Sequence, residues 1–236
     1  MEVNLESLKE LIATGIVRAL EQEFVYKKQN LGLKTANCYR DLKLDTIYSI
    51  LEEMFTSDDY FIHNFRRSYW KGQILVDLNS KALVSITSTK NLKRLSKDKS
   101  RKVPHYMKTI INSLNSEFKP HKQLSFDSSN TDGDEIYNKE FNDIFSDIGI
   151  SLKRFTYYIV AYDYKSNKVT DINWYLFGRD FYIEDEESLM KYIKPDVLEL
   201  TSLENETDDA NTNSEGHEPN EGIKLGLKKK KSKKHS

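Results

Sequence analysis

The chain has one cysteine, nine glycines and four prolines in 236 residues, and no apolar run long enough to span a bilayer. Each scarcity excludes something. Cys38 has no partner for an intrachain disulfide, and no cysteine-rich zinc site can be assembled around it. A lone thiol fits a reducing cytoplasm. Phosphate-cradling loops need glycine, and neither a phosphate loop nor a dinucleotide fingerprint is present. The Gly-x-Ser-x-Gly elbow of hydrolases is missing as well. The five histidines stand apart, with no His-x-x-x-His or Glu-x-x-His pair to hold a metal. A bilayer span needs about 20 apolar residues, so no membrane insertion is expected. Glu2, Glu6 and Glu10 interrupt the apolar residues of the N-terminus, which does not read as a signal peptide. The sequon at Asn205-Glu206-Thr207 therefore carries no expectation of glycosylation. No metal and no cofactor is expected.

What is present is charge and aromatic area. Charged residues make up 31% of the chain, yet the net charge is -1. The cations are concentrated. Lys90, Lys93, Arg94, Lys97, Lys99, Arg101, Lys102 and Lys108 face the single acid Asp98, a local formal charge of +7. This stretch reads as a basic connector and is the candidate nucleic-acid surface, since phosphate contacts supply sequence-independent affinity.

Two hairpins flank it. Ile74-Leu75-Val76 and Leu83-Val84-Ser85-Ile86 are short strand-forming runs joined by the turn formers Asp77 to Lys81. Tyr69 and Trp70 open the first strand, and their area suits a sheet face packed on a helix. The second hairpin runs from Phe155 to Tyr162, turns at Ser166-Asn167 and returns from Val169 to Phe177. Phe181-Tyr182-Ile183 offers a short further strand. Helices are expected from Leu5 to about Lys28, Asp41 to Phe55, Pro104 to Phe118, Asp132 or Asp134 to Ile148, and Glu184 to Ile193, each from apolar residues at three- and four-residue spacing. Hairpins separated by helices argue against a parallel doubly wound sheet. The fold class is α+β, an antiparallel sheet built from two hairpins, packed by about five helices on one face.

The single domain is expected to span 1–200. Beyond Thr201 periodicity ends. Acids from Glu204 to Glu221 are followed by Lys224, Lys228 to Lys231, Lys233 and Lys234. Such a segment buries too little apolar area to order itself, and 201–236 reads as a disordered, acidic-then-basic tail.

The pattern of Trp70, a strand-turn-strand ending near Ser88, Leu92 and Leu95 in a basic run, His105-Tyr106 and Leu114-Asn115 resembles an uncharacterised family of bacterial proteins, mostly from Gram-positive species and their phages. The likeness spans about half the chain. It implies a bacterial or phage accessory protein with no assigned activity, and it supplies no catalytic residues.

Enzymatic readings are weaker. A magnesium nuclease of the restriction-enzyme type pairs an Asp with Glu-x-Lys on the next strand. Asp77 and Lys90 fit, but Ser88 stands where the Glu belongs. Arg67, Thr87-Ser88-Thr89 and Glu184-Asp185-Glu186 mimic the order of an ADP-ribosyl transferase. Ser128 to Gly133 resembles the start of a calcium loop, but its twelfth position is Lys139 where the loop needs a bidentate Glu. His105 beside Tyr106 reads as a structural hydrogen bonder. The expectation is thus a cytoplasmic, non-enzymatic module that binds a macromolecule, either nucleic acid through the basic stretch or a protein through tyrosines on one face of the second hairpin, where Tyr157, Tyr158, Tyr162, Tyr164, Trp174 and Tyr175 cluster and the other face is core. Oligomeric state is not legible.

Overall fold

The computed structural model describes residues 5–32, 37–67, 69–97, 104–118 and 131–193. Helix α1 (Glu6–Val17) buries Leu8, Ile12 and Ile16, four residues apart on one face. The chain stays helical through a π segment (Arg18–Glu23) and α2 (Phe24–Asn30). Helix α3 (Tyr39–Met54) buries Ile47, Tyr48, Ile50 and Leu51. Gly15 brings α1 and α3 close, for an added Cβ would lie 3.3 Å from Leu51 Cγ.

Six strands follow with three helices between the third and fourth. They are β1 (Tyr60–Arg67), β2 (Trp70–Asp77), β3 (Ala82–Ser88), β4 (Thr156–Lys165), β5 (Lys168–Gly178) and β6 (Tyr182–Ser188). The intervening helices are α4 (Thr89–Lys97), α5 (Tyr106–Leu114) and α6 (Thr131–Ile144). The strands form one sheet in chain order, β1 to β6. All neighbours are antiparallel except β3 and β4, which run parallel from Ala82↔Thr156 to Ser88↔Tyr162. This is the α+β class, a mostly antiparallel sheet with, among the described residues, five helical rods when α1, the π segment and α2 are taken as one.

The expected single helical layer is corrected. α1 to α3 pack on one face, against Leu75, Val84, Ile86, Val160 and Trp174. α4 to α6 pack on the other, against Ile74, Val76, Leu83, Tyr157 and Ile159. The reason is visible in β3, where Ala82 to Thr87 are all buried. A strand covered on both faces needs a near-continuous apolar run, and Ala82-Leu83-Val84-Ser85-Ile86 provides one broken only by the small Ser85.

Three elements differ from the sequence reading. β1 lies in a stretch where the sequence reading placed no element. Glu184 to Ser188 is an extended edge strand rather than the first turn of a helix, followed by a single 3-10 turn, Leu189–Tyr192. Exposed acids suit an edge, because they discourage further pairing. The start of the basic connector is the helix α4. The β4–β5 turn falls where expected, with Ser166 and Asn167 both at positive φ, as a two-residue hairpin requires. The boundary near Leu200, the tail and Ser128 to Asn130 of the calcium-loop-like stretch lie outside the described residues, while its remaining positions, Thr131 to Lys139, are helical in α6 and form no such loop. Among the described residues, no helix is long and apolar enough to cross a membrane.

Candidate nucleic-acid interface

The sheet is split between β2 and β3. Their ladder runs only from Asp77↔Ala82 to Leu75↔Val84. β2 then continues back to Trp70, still paired with β1, while β3 continues to Ser88, still paired with β4. The Tyr48 hydroxyl of α3 bridges the gap. It donates to the Gln73 carbonyl at 3.0 Å and accepts from the Ile86 amide at 3.1 Å. A side-chain oxygen thus satisfies backbone groups that the ladder leaves unpaired. Burial pushes the Tyr48 phenol far above its ordinary value, so it stays protonated and able to donate.

A cleft of about 120 Å³ opens at this split, lined by Arg40, Trp70, Thr87, Ser88, Asn91, Arg94, His105, Tyr106 and others. It lies at the carboxyl ends of the parallel strands β3 and β4, where open sheets place ligands. Burial raises the Tyr106 phenol to about 12, so this wall of the cleft stays neutral.

Helix α4 starts at the cleft. Ser88 Oγ accepts from the Asn91 amide at 3.3 Å, capping the first turn. The Asn91 side chain donates to Thr87 Oγ1 at 2.9 Å and accepts from Arg94 Nη2 at 2.8 Å. This relay ties Arg94 to the end of β3. Leu92 and Leu95 are buried, and Lys90, Lys93, Arg94 and Lys97 are exposed. No acid lies on the helix. Among the described residues, Lys90, Lys93 and Lys97 form no ion pair. Lys108 is directed elsewhere, with Nζ 3.4 Å from Asp180 Oδ1. Lys99, Arg101 and Lys102 lie outside the described residues. Four of the eight cations singled out in the sequence are therefore gathered on one helix.

The β1–β2 turn adds residues that sequence reasoning assigned to packing. Tyr69 is 92% exposed and Trp70 39% exposed, with Arg66 and Lys71 also on the surface. The Trp70 ring is held by Tyr106 at 5.3 Å and by Phe65 at 5.8 Å between centroids. Gly72 leaves room for it, since an added Cβ would sit 2.7 Å from Trp70 Cζ3 and collide with the Phe65 ring. The signal was in the sequence, as cations interleaved with aromatics in Arg66-Arg67-Ser68-Tyr69-Trp70-Lys71. Across the cleft, Arg40 donates from Nε to Asp41 Oδ1 at 2.8 Å, and that bond raises the guanidinium further.

Other candidate constellations are pulled apart. Asp77 is buried and caps the β2–β3 turn, its Oδ1 accepting from the amides of Asn79 at 2.9 Å and Ser80 at 3.1 Å. It pairs with Ala82, at the far end of β3 from Ser88 and Lys90. Six strand residues separate the ends, about 20 Å. The nuclease pair is not assembled. Arg67 lies on edge strand β1, where it donates to Glu140 Oε1 at 2.5 Å, while Glu184 to Glu186 lie on the opposite edge, β6. Five strand spacings, about 24 Å, separate these transferase-like elements. In the Tyr-rich hairpin, Tyr157, Tyr162, Trp174 and Tyr175 are buried, and Tyr158 and Tyr164 are half-buried beneath the helices. This corrects the expectation that one hairpin face shows its tyrosines. Among the described residues, no cluster of His, Cys, Asp or Glu could hold a metal ion.

The chain belongs to DUF5986, a family of unknown function, which matches residues 4–236. No curated protein and no solved structure matches it.

Proposed function

We propose that this protein is a non-enzymatic bacterial or phage accessory protein that binds nucleic acid, through the outward face of α4 and the neighbouring β1–β2 turn. The carrying observation is the set Lys90, Lys93, Arg94 and Lys97, exposed on one acid-free helix that adjoins Trp70 at a common cleft. Lys99, Arg101 and Lys102 follow directly in sequence and extend the same charge. The lone cysteine suits a cytoplasmic setting.

Cations on a convex helix neutralise phosphates without reading base edges, so the binding is weak and insensitive to sequence. About four or five phosphate contacts give a logarithmic salt slope near -4 on duplex DNA. Lys228 to Lys231, Lys233 and Lys234 would add to it, so the test uses the full chain with these six changed to Gln. A labelled DNA duplex is titrated with this protein at two salt concentrations. Changing Lys90, Lys93, Arg94 and Lys97 together to Glu should abolish binding without unfolding the chain, because these side chains face water. Absence of binding at low salt would overturn the proposal and leave the basic face a solvated surface.

A further inference from the structure

We infer that the cleft at the β2–β3 split takes one unstacked base, so that the protein prefers single-stranded nucleic acid to duplex. This rests on the nucleic-acid reading above and names its substrate class.

The cleft offers about 120 Å³. A cavity of about 150 Å³ holds a benzene molecule, so this smaller, open cleft takes only the edge of one base laid against Trp70 and cannot admit a stacked pair. Its aromatic part is Trp70 and Tyr106, tilted 31° to each other at 5.3 Å. Trp70 is backed by Phe65 and seated over Gly72, so its exposed part is presented in a fixed position rather than on a loose side chain. A ring held this way loses little entropy when a base stacks on it.

The polar residues explain why no base would be favoured. Asn91 donates one amide hydrogen to Thr87, its carbonyl oxygen accepts from Arg94, and Ser88 Oγ accepts from the Asn91 backbone, so each is already partly engaged. Bonded to one another, they read base edges poorly. Stacking is tolerant of sequence, because every base has a π-face. Arg94 stands in the lining, where a phosphate flanking the base would pass, while Arg40 is paired with Asp41, an acid of the same lining, and is less available to phosphate. A duplex keeps its bases stacked and reaches only the cations of α4.

The test compares a labelled oligothymidine with a duplex of equal length, both titrated with the full chain carrying the six tail lysines as Gln. The single strand should bind more tightly. Trp70→Ala should weaken it about 5- to 100-fold, the span expected of one stacked base, and weaken the duplex far less. Trp70→Phe should restore most of the single-strand affinity, which separates loss of stacking from loss of folding. Single-strand binding should also quench tryptophan emission, because Trp70 is accessible and Trp174 is buried. Equal affinity for both nucleic acids, or equal weakening of both by Trp70→Ala, would overturn this inference while leaving the binding proposal standing. If neither binds at low salt, both fall.

Discussion

Asn115 holds both backbone polar groups of Tyr157. Its Oδ1 accepts from the Tyr157 amide at 3.0 Å, and its Nδ2 donates to the Tyr157 carbonyl at 2.7 Å and to the Phe177 carbonyl at 2.8 Å. The β4–β5 ladder ends at Tyr158↔Leu176, and this fully buried amide ties the next two residues together from the end of α5.

Asn115→Ala should therefore be among the most damaging single changes. It strands one amide and two carbonyls out of water, and each unsatisfied buried group costs about 1–3 kcal/mol. A loss of roughly 3 kcal/mol or more is expected, read as a lower urea midpoint at unchanged slope. A loss below about 1 kcal/mol would mean that water replaces the amide.

Asp77→Ala should loosen a turn and leave chemistry untouched. Removing the cap exposes no catalytic role, because Lys90 lies at the other end of β3. The expected cost is about 1–2 kcal/mol, comparable to losing a helix cap. No magnesium-dependent cleavage of DNA or RNA is expected from the parent chain. Cleavage that disappeared in Asp77→Ala or Lys90→Ala would refute this.

How much of this was legible in the sequence differs by element. The two hairpins were, because β-branched runs and turn residues act locally. β6 was legible only at its start, Tyr182-Ile183, since Glu184 to Glu187 satisfies a helix start and an exposed edge equally well, and only its pairing with β5 decides. Helix α4 was hidden by its two buried leucines, Leu92 and Leu95, which are too few to show periodicity in so basic a stretch. Of the candidate interface, the α4 cations were legible as charge. Trp70 does pack on a helix, against Tyr106 of α5, as its area suggested, but its 39% exposure was not legible because the cleft there opens only where β2 and β3 part.

Glu187 gives a defined acid response. Partial burial pushes its carboxyl up, but bonds from Lys191 and Lys9, both at 2.6 Å, outweigh that and hold it at about 2. Its stabilising contribution is complete above the ordinary carboxylate value, about 4.3, and fades as pH falls toward 2. Glu187→Gln should cost about 0.5–1 kcal/mol at neutral pH, given the partial exposure of the pair. The gap between variant and parent should close between about pH 4 and pH 2, measured by denaturant unfolding across that range. A gap that persisted at pH 2 would refute the assignment.

Gly72→Ala should displace the rings of Phe65 and Trp70 by steric contact alone. A destabilisation of about 1–3 kcal/mol is expected from overpacking, together with greater acrylamide quenching of Trp70 as its seat is lost. Unchanged quenching would show that the ring accommodates a methyl group.

The parallel seam between β3 and β4 has a kinetic consequence. Antiparallel neighbours β1–β2–β3 and β4–β5–β6 can each zip from tight turns, with little chain to close. The seam cannot form until α4, α5 and α6 have been looped out and laid back over the sheet, so its entropy of closure falls due late. The two three-stranded ribbons should mature first and the chain should wait on their docking. Conservative truncations such as Ile159→Val, in β4 beside Ser85, would then speed unfolding and barely slow refolding, whereas truncations within the turns would do the reverse.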